Sequence, residues 1–179
     1  LSESDHILAE RCQKGDRRAQ KELYQQYRRM LFGVCLRYAA NRQEAEDLLQ
    51  ESLLRIYTDL YQYQPTGPLG AWLRRVTVNV ALQQLRKKKR LFPTEDLDQL
   101  ADRGEEEEDW FAEDRARALL AMVQQLPEGY RLVFNLHVIE GLSHAEIAQH
   151  LDISVNTSKS QLSRSKALLR KMLEKKVST

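Results

Sequence analysis

Glycine and proline are scarce in this chain, with 7 and 4 in 179 residues. That is too few for the closely spaced turns of a sandwich or barrel, and it leaves a mostly helical fold. Cysteine is nearly absent. Cys12 and Cys35 cannot supply the disulfide framework of a small secreted scaffold, and both lie in helical, partly apolar stretches suited to free buried thiols. No apolar run is long enough to cross a bilayer and no signal peptide is recognisable, so a cytoplasmic protein without membrane insertion is expected. His6, His137, His144 and His150 lack the spacing of a zinc site, and His137 reads as a core or boundary residue. There is no nucleophile–base pair, glycine-rich phosphate loop or metal cluster. A non-enzyme with no cofactor and no metal is therefore expected.

What the chain has is charge, and it is segregated. Apolar residues make up 42% and charged residues 30%, with a net charge of only +2. Residues 86–90 read RKKKR. Lys159, Arg164, Lys166, Arg170, Lys171, Lys175 and Lys176 stand against the single acid Glu174 near the C-terminus. Between them, residues 95–114 hold 11 acids against one base, Arg103. Two basic regions separated by an acidic one suggest two nucleic-acid contacts and a spacer.

The sharpest local pattern is LSHAEIAQHLDISVNTSKSQLSRSKALL, residues 142–169. Ser143 and Glu146 have capping-box spacing. Ala145, Ile147, Ala148 and Leu151 give the helix that follows a small apolar face. Asp152-Ile153-Ser154 is a turn, since Asp tolerates unusual backbone angles and Ser154 can cap the next helix. That second helix places Val155, Leu162 and Leu169 on one face and Lys159, Ser160, Ser163, Arg164 and Lys166 around the rest. Two helices joined by so short a turn, the second basic, form a helix-turn-helix shaped for a DNA major groove. An ordinary helical hairpin with a solvated basic face is the bland alternative.

The N-terminal half reads as four helices. The first runs from Ser4 or Asp5 to about Lys14 and ends at Gly15-Asp16. The second, from Arg17 to about Ala40, carries Ala19, Leu23, Tyr27, Leu31, Val34, Cys35 and Tyr38 at helical spacing. Asn41 and Glu44 can cap a third, with Ala45, Leu48, Leu49, Ser52, Leu53, Ile56, Tyr57 and Leu60 inward. On its opposite face Leu54 lies among Asp47, Gln50 and Glu51, either as a lone exposed leucine or as the centre of a protein-docking patch. Residues 61–70, YQYQPTGPLG, form a loop with two aromatics, Tyr61 and Tyr63. Pro68 can begin the fourth helix, with Leu69, Trp72, Leu73, Val76, Val80 and Leu85 inward. An aromatic loop beside a basic helix suits single-stranded nucleic acid, because bases stack on rings while cations follow phosphates; the bland alternative is core aromatics with a solubilising helix end, and Trp72 is at least partly core on either reading.

Four motifs in order, GDRRAQKELYQQY, EAEDLLQESLLRIY, AWLRRVTVN and LPEGYRLVFNLHVIEGLSHAEIAQHLDISVNTSKSQLSRSKALL, together resemble an extracytoplasmic-function sigma factor of the sigma-70 family over nearly the whole chain. The resemblance implies an all-α fold of two small helical domains. Residues 1–91 would form a region 2-like domain that binds core polymerase and the minus-10 element, 92–109 an acidic flexible linker, and 110–179 a region 4-like helix-turn-helix domain for the minus-35 element. Asp47, Gln50, Glu51 and Leu54 match the surface for the clamp helices of the largest subunit of core RNA polymerase. The loop with Tyr61 and Tyr63 matches the specificity loop that holds a flipped base. Asn79, with Trp72, Arg75 and Arg86, matches the face that engages the opening duplex. Thr157, Lys159, Ser160, Ser163 and Arg164 match the exposed positions of the recognition helix. Ser158 stands where the family usually has a small apolar residue, and Gln161 where it usually has Arg. The loop has Pro65, Gly67 and Pro68, and Leu69 where an aromatic is common. These departures touch base readout more than fold.

Pro93, Gly104 and the acid run mark the linker. It is a solvated spacer, a polyanion mimic or a self-inhibitory segment. Beyond it, Trp110 to Gln125 is expected as a helix offering Trp110, Phe111, Leu119, Leu120, Met122 and Val123 for packing. Pro127 suits the first turn of the next, whose inward stripe is Tyr130, Val133, Phe134, His137 and Val138, and Gly141 ends it. The resemblance implies promoter DNA, core RNA polymerase and an anti-sigma factor or other regulatory protein as partners. The competing functions are a stand-alone helix-turn-helix transcriptional regulator, which needs neither the 47–54 face nor the aromatic loop, and an effector-binding regulator, for which no motif speaks.

Overall fold

The computed structural model describes residues 3–87 and 114–177. The acidic linker, Lys88 to Arg90 of the basic run, Trp110 and Phe111 lie outside the described residues. All regular structure among the described residues is helical, as expected of an all-α chain. The chain divides into two compact units, Leu1–Gln83 and Gln84–Thr179.

The N-terminal unit is built on α1 (Glu3–Gln13), α2 (Arg17–Tyr38), α3 (Arg42–Asp59) and α4 (Leu69–Lys87) as far as Gln83, with a single 3₁₀ turn at Leu60–Gln62. Gly15 breaks α1 from α2 at φ 79°, a left-handed conformation that costs a residue without Cβ little. Asp16 caps α2 by accepting from the N–H groups of Arg18 at 2.8 Å and Ala19 at 3.3 Å. Its other oxygen takes two hydrogen bonds from the Arg11 guanidinium at 3.0 and 2.8 Å. The Arg11 contact, then the backbone donors, holds this carboxyl below the usual range. At the start of α3 the Asn41 side chain accepts from Glu44 N–H at 2.9 Å. The Glu44 carboxylate reaches back to the Ala40 N–H at 3.0 Å, one residue beyond the donor a capping box uses.

Apolar periodicity then assembles the core. Leu8, Ala9 and Cys12 from α1, Ala19, Leu23 and Leu31 from α2, Ile56 from α3, Leu60, Tyr63, and Leu69 and Leu73 from α4 are buried together. Each large side chain so enclosed contributes about 1.5–3 kcal/mol of transfer free energy. Polar ties fasten the margins: Tyr27 Oη donates to Asp5 at 2.8 Å, Tyr57 Oη to the Gln20 carbonyl at 2.9 Å, and Gln13 Nε2 to the Leu60 carbonyl at 2.9 Å.

The C-terminal unit holds α5 (Asp114–Gln124), α6 (Glu128–Phe134), α7 (His144–Leu151) and α8 (Val155–Val177). Met122, Val123, Leu126, Tyr130 and Leu169 form a core cluster, with Phe134, Leu168 and Met172 against it. α6 does not continue as a regular helix. It opens into a π turn over Asn135–Ile139, where Glu140 N–H bonds the Asn135 carbonyl five residues back at 3.0 Å. The wider turn advances each residue by a smaller angle and shifts the phase of the buried face. Tyr130 and Val133 are buried as the sequence suggests, but Leu132, Asn135 and Leu136 complete the inner face. Val138 is exposed, which corrects the inward position expected for it from an uninterrupted helical period, while His137 is half-buried, at the boundary of the core. Val155 is likewise exposed, although Leu162 and Leu169 on its stripe are buried. The side-chain tie to α7 begins one turn later, at Ser158.

Candidate nucleic-acid and protein interfaces

The helix-turn-helix is built from local chemistry. Ser143 N–H donates to Glu146 Oε2 at 2.8 Å, and Glu146 N–H donates to Ser143 Oγ at 3.3 Å, a complete capping box. Those contacts, the Ser143 hydroxyl first, hold the Glu146 carboxyl below its ordinary range. Asp152 ends α7 in the left-handed region at φ 55°, ψ 49°, with its N–H bonded to the Ala148 carbonyl. It is the only non-glycine among the described residues with positive φ. Ser154 then accepts from Thr157 N–H at 2.9 Å and caps α8.

On α8 the buried residues Ser158, Leu162, Ser165 and Leu169 follow one side. Lys159, Ser160, Ser163 and Arg164 are all exposed on the other, joined by Lys166, Arg170, Lys171 and Lys175. The structure thus brings four of the five predicted recognition-helix residues onto open surface. Thr157 is half-buried, and its hydroxyl lies 2.8 Å from Ser154 Oγ, inside the cap. The use made of Ser158 is not legible in the helical period. Its side chain is 0% exposed, and its Oγ lies 2.9 Å from His144 Nδ1 on α7. The His144 ring stacks on His137, centroids 4.4 Å apart at 11°. The only signal in the sequence was a hydroxyl at a position expected to be apolar.

On α3, Asp47, Gln50, Glu51 and Leu54 are all exposed, opposite buried Ala45, Leu48, Ser52 and Ile56. Leu54 is 70% exposed. Spacings of three and four residues put the four on one stripe: an apolar side chain flanked by two carboxylates and an amide. Such a surface suits a partner offering an apolar contact ringed by cations.

The loop and α4 separate the two tyrosines. Tyr61 is 72% exposed, and its hydroxyl accepts from Gln62 Nε2 at 3.1 Å. Tyr63 is 7% exposed, donates to the Gly67 carbonyl at 2.8 Å and meets Trp72 edge-on at 5.9 Å. The expectation of two stacking aromatics is therefore corrected. Tyr63 closes the loop onto the core, and only Tyr61 presents a ring to solvent. Trp72 is half-buried, while Arg75, Asn79 and Arg86 are exposed and fall on the same side of α4 by their spacing. Among the described residues no group of three or more His, Cys, Asp or Glu is placed to hold a metal ion, and no helix is long and apolar enough to cross a membrane.

Comparison with known proteins adds ancestry to this geometry. The sequence profile of sigma-70 region 2 matches residues 23–91, and that of sigma-70 region 4 matches residues 116–169. The RNA polymerase sigma-H factor of Pseudomonas aeruginosa is 30% identical over 189 aligned positions, covering 96% of this chain and 95% of that protein. The ECF RNA polymerase sigma factor SigW of Bacillus subtilis is 30% identical, covering 89% and 91%. Among solved structures, CnrH in complex with the cytosolic domain of CnrY superposes with a TM-score of 0.51 at 22% identity, covering 96% of this chain and 98% of that one. The sigma factor RpoE in complex with the anti-sigma factor NepR from Bartonella quintana gives 0.50 at 21% identity, covering 86% and 96%. These two likenesses establish the fold.

Proposed function

The chain belongs to the extracytoplasmic-function sigma factors of the sigma-70 family, and we propose that its two helical domains divide promoter recognition as follows. Residues 1–91 bind core RNA polymerase and the minus-10 element, 92–109 serve as an acidic spacer, and 110–179 anchor the minus-35 element. Asp47, Gln50, Glu51 and Leu54 dock on the clamp helices of the largest polymerase subunit. Leu54 supplies the desolvated centre of that contact and the acids its charge complementarity. Tyr61 offers a stacking surface to an unpaired minus-10 base. Trp72, Arg75, Asn79 and Arg86 engage the opening duplex, and Tyr63 holds the loop in shape rather than touching DNA. Lys159, Ser160, Ser163 and Arg164 enter the major groove, and the remaining cations of α8 follow phosphates.

The protein carries out no reaction of its own on this reading. It works in the cytoplasm by lending core polymerase a set of DNA contacts, and an anti-sigma factor or other regulatory protein controls access to them. The observation that carries the reading is the presence on one chain of an exposed Leu54 face on α3 and a capped, basic helix-turn-helix. A regulator that only binds duplex DNA has no use for the α3 face. Run-off transcription with core polymerase tests it. Addition of the protein should direct initiation from promoters recovered by genome-wide start-site mapping, and Leu54→Asp should abolish it. Failure of core polymerase to initiate with the wild-type protein, in the absence of any anti-sigma factor, overturns the reading.

A further inference from the structure

Ser158 is fully enclosed, and a hydroxyl in that position needs a partner, because an unpaired buried hydroxyl costs stability. Its partner is a titratable ring, His144 Nδ1 at 2.9 Å, on the other helix of the motif and 14 residues away. His137 is stacked against that ring. Its own Nδ1 lies 2.8 Å from the Leu142 carbonyl, which can only accept, so His137 carries its proton there and donates it. The two rings and the hydroxyl thus tie the π turn, α7 and α8 together behind the DNA-facing surface.

We infer that His144 and Ser158 form a polar latch that sets how α8 seats on α7, and that protonation of His144 releases it, so that duplex binding by this helix-turn-helix weakens on acidification. The inference rests on the reading of α8 as a DNA-recognition helix. Two proton arrangements exist, and because a serine hydroxyl can accept as well as donate, it is the charge gained by the ring in either one that opposes docking. If Ser158 donates, a proton on Nδ1 removes the acceptor. If Nδ1–H donates, the new proton goes to Nε2 and the whole ring becomes cationic. Either way the charge arises beside the stacked His137 ring, at the first residue of α7 where the helix dipole is positive, and near Lys159 and Lys166 of α8. On its own helix, the Glu146 carboxylate is engaged by Ser143.

Burial, then His137, Lys159 and Lys166, hold His144 below its ordinary value. A folded state that resists a proton loses stability as pH falls through the ordinary histidine value, because the undocked or unfolded chain takes the proton first. Simple addition of positive charge predicts the opposite trend for DNA binding.

The test uses the full chain and a duplex selected from a random pool by the wild-type protein at about pH 8, with affinity followed to about pH 5.5 at fixed ionic strength. Wild-type affinity should fall on the order of tenfold, within the usual range of a coupling between two linked equilibria. The His144→Phe/Ser158→Ala double variant keeps a ring and removes the polar pair. It should bind somewhat more weakly at the higher pH and show a flat profile. Wild-type affinity that holds or rises on acidification overturns the latch, as does a double variant with the wild-type profile. In parallel, NMR of the histidine rings follows His144 directly. In Ser158→Ala its titration should move, and an unmoved titration overturns the latch even if the double variant does not fold. Absence of duplex binding at every pH overturns instead the DNA reading of α8, and the NMR titration then still decides whether the latch exists.

Discussion

Replacing the two loop tyrosines one at a time separates a structural ring from a functional one. Tyr63 is 7% exposed, packs edge-on against Trp72 and gives its hydroxyl proton to the Gly67 carbonyl. Truncating a buried aromatic to Ala costs about 3–5 kcal/mol. Trp72 is half-buried and can relax into part of the space, so Tyr63→Ala should lie near the low end, about 3 kcal/mol. Tyr63→Phe isolates the hydroxyl and should cost about 0.5–1.5 kcal/mol, the net worth of one hydrogen bond. Tyr61 is 72% exposed, so Tyr61→Ala should leave stability within about 0.5 kcal/mol. If a base stacks on that ring, its loss should weaken binding by about 1–3 kcal/mol, roughly 5- to 150-fold. Urea unfolding of the full chain reads the first quantity through Trp72 fluorescence in a Trp110→Phe background. Anisotropy of a labelled single-stranded minus-10 oligonucleotide on the reconstituted holoenzyme reads the second. Equal destabilisation by Tyr61→Ala and Tyr63→Ala would refute the partition, as would a Tyr63→Ala protein that unfolds normally yet releases the oligonucleotide.

Arg164→Ala should weaken minus-35 duplex binding by about 1–3 kcal/mol if the guanidinium makes a bidentate base contact, and should leave core-polymerase association unchanged. Leu54→Asp, at a position 70% exposed, should do the reverse, and titration of each variant against DNA and against core polymerase checks both. At Asp152, with φ 55°, Gly should match or slightly exceed wild-type stability, whereas Val should cost about 1–2 kcal/mol in thermal unfolding. Burial pushes the Cys35 thiol up to about 12 and Cys12 up to about 11. Both thiols should therefore resist alkylation in the folded chain at neutral pH, and rapid labelling of Cys35 would contradict its placement. The matching stability is present below the ordinary thiol value and is lost as pH rises above it, because the unfolded chain ionises first.

The helical character, most helix ends and the caps are legible in the sequence, because the chemistry that sets them acts over three or four residues. Asp16, Asn41, Ser143 and Ser154 each cap a helix with an atom from its own neighbourhood. The left-handed turn at Asp152 follows from a side chain that tolerates it. The face of α3 was legible for the same reason, since period alone places Asp47, Gln50, Glu51 and Leu54 together. The inward stripe behind the helix-turn-helix was only half legible. A regular period carries no sign of the π turn at Asn135–Ile139, whose one-residue shift buries Leu136 and exposes Val138. Nor does the composition of YQYQPTGPLG say which tyrosine turns inward. That was decided by the Gly67 carbonyl and by the edge of Trp72, groups that meet Tyr63 only once the loop has closed on α4.

By itself, then, the sequence determined the helices, their ends, their outward charges and the family they belong to, all of which depend on near neighbours or on motif order. Tertiary structure alone decided which ring faces solvent, which hydroxyl is enclosed and which histidine it meets. Those outcomes depend on helices that approach one another only after folding, as those of Ser158 and His144 do across a sequence separation of 14.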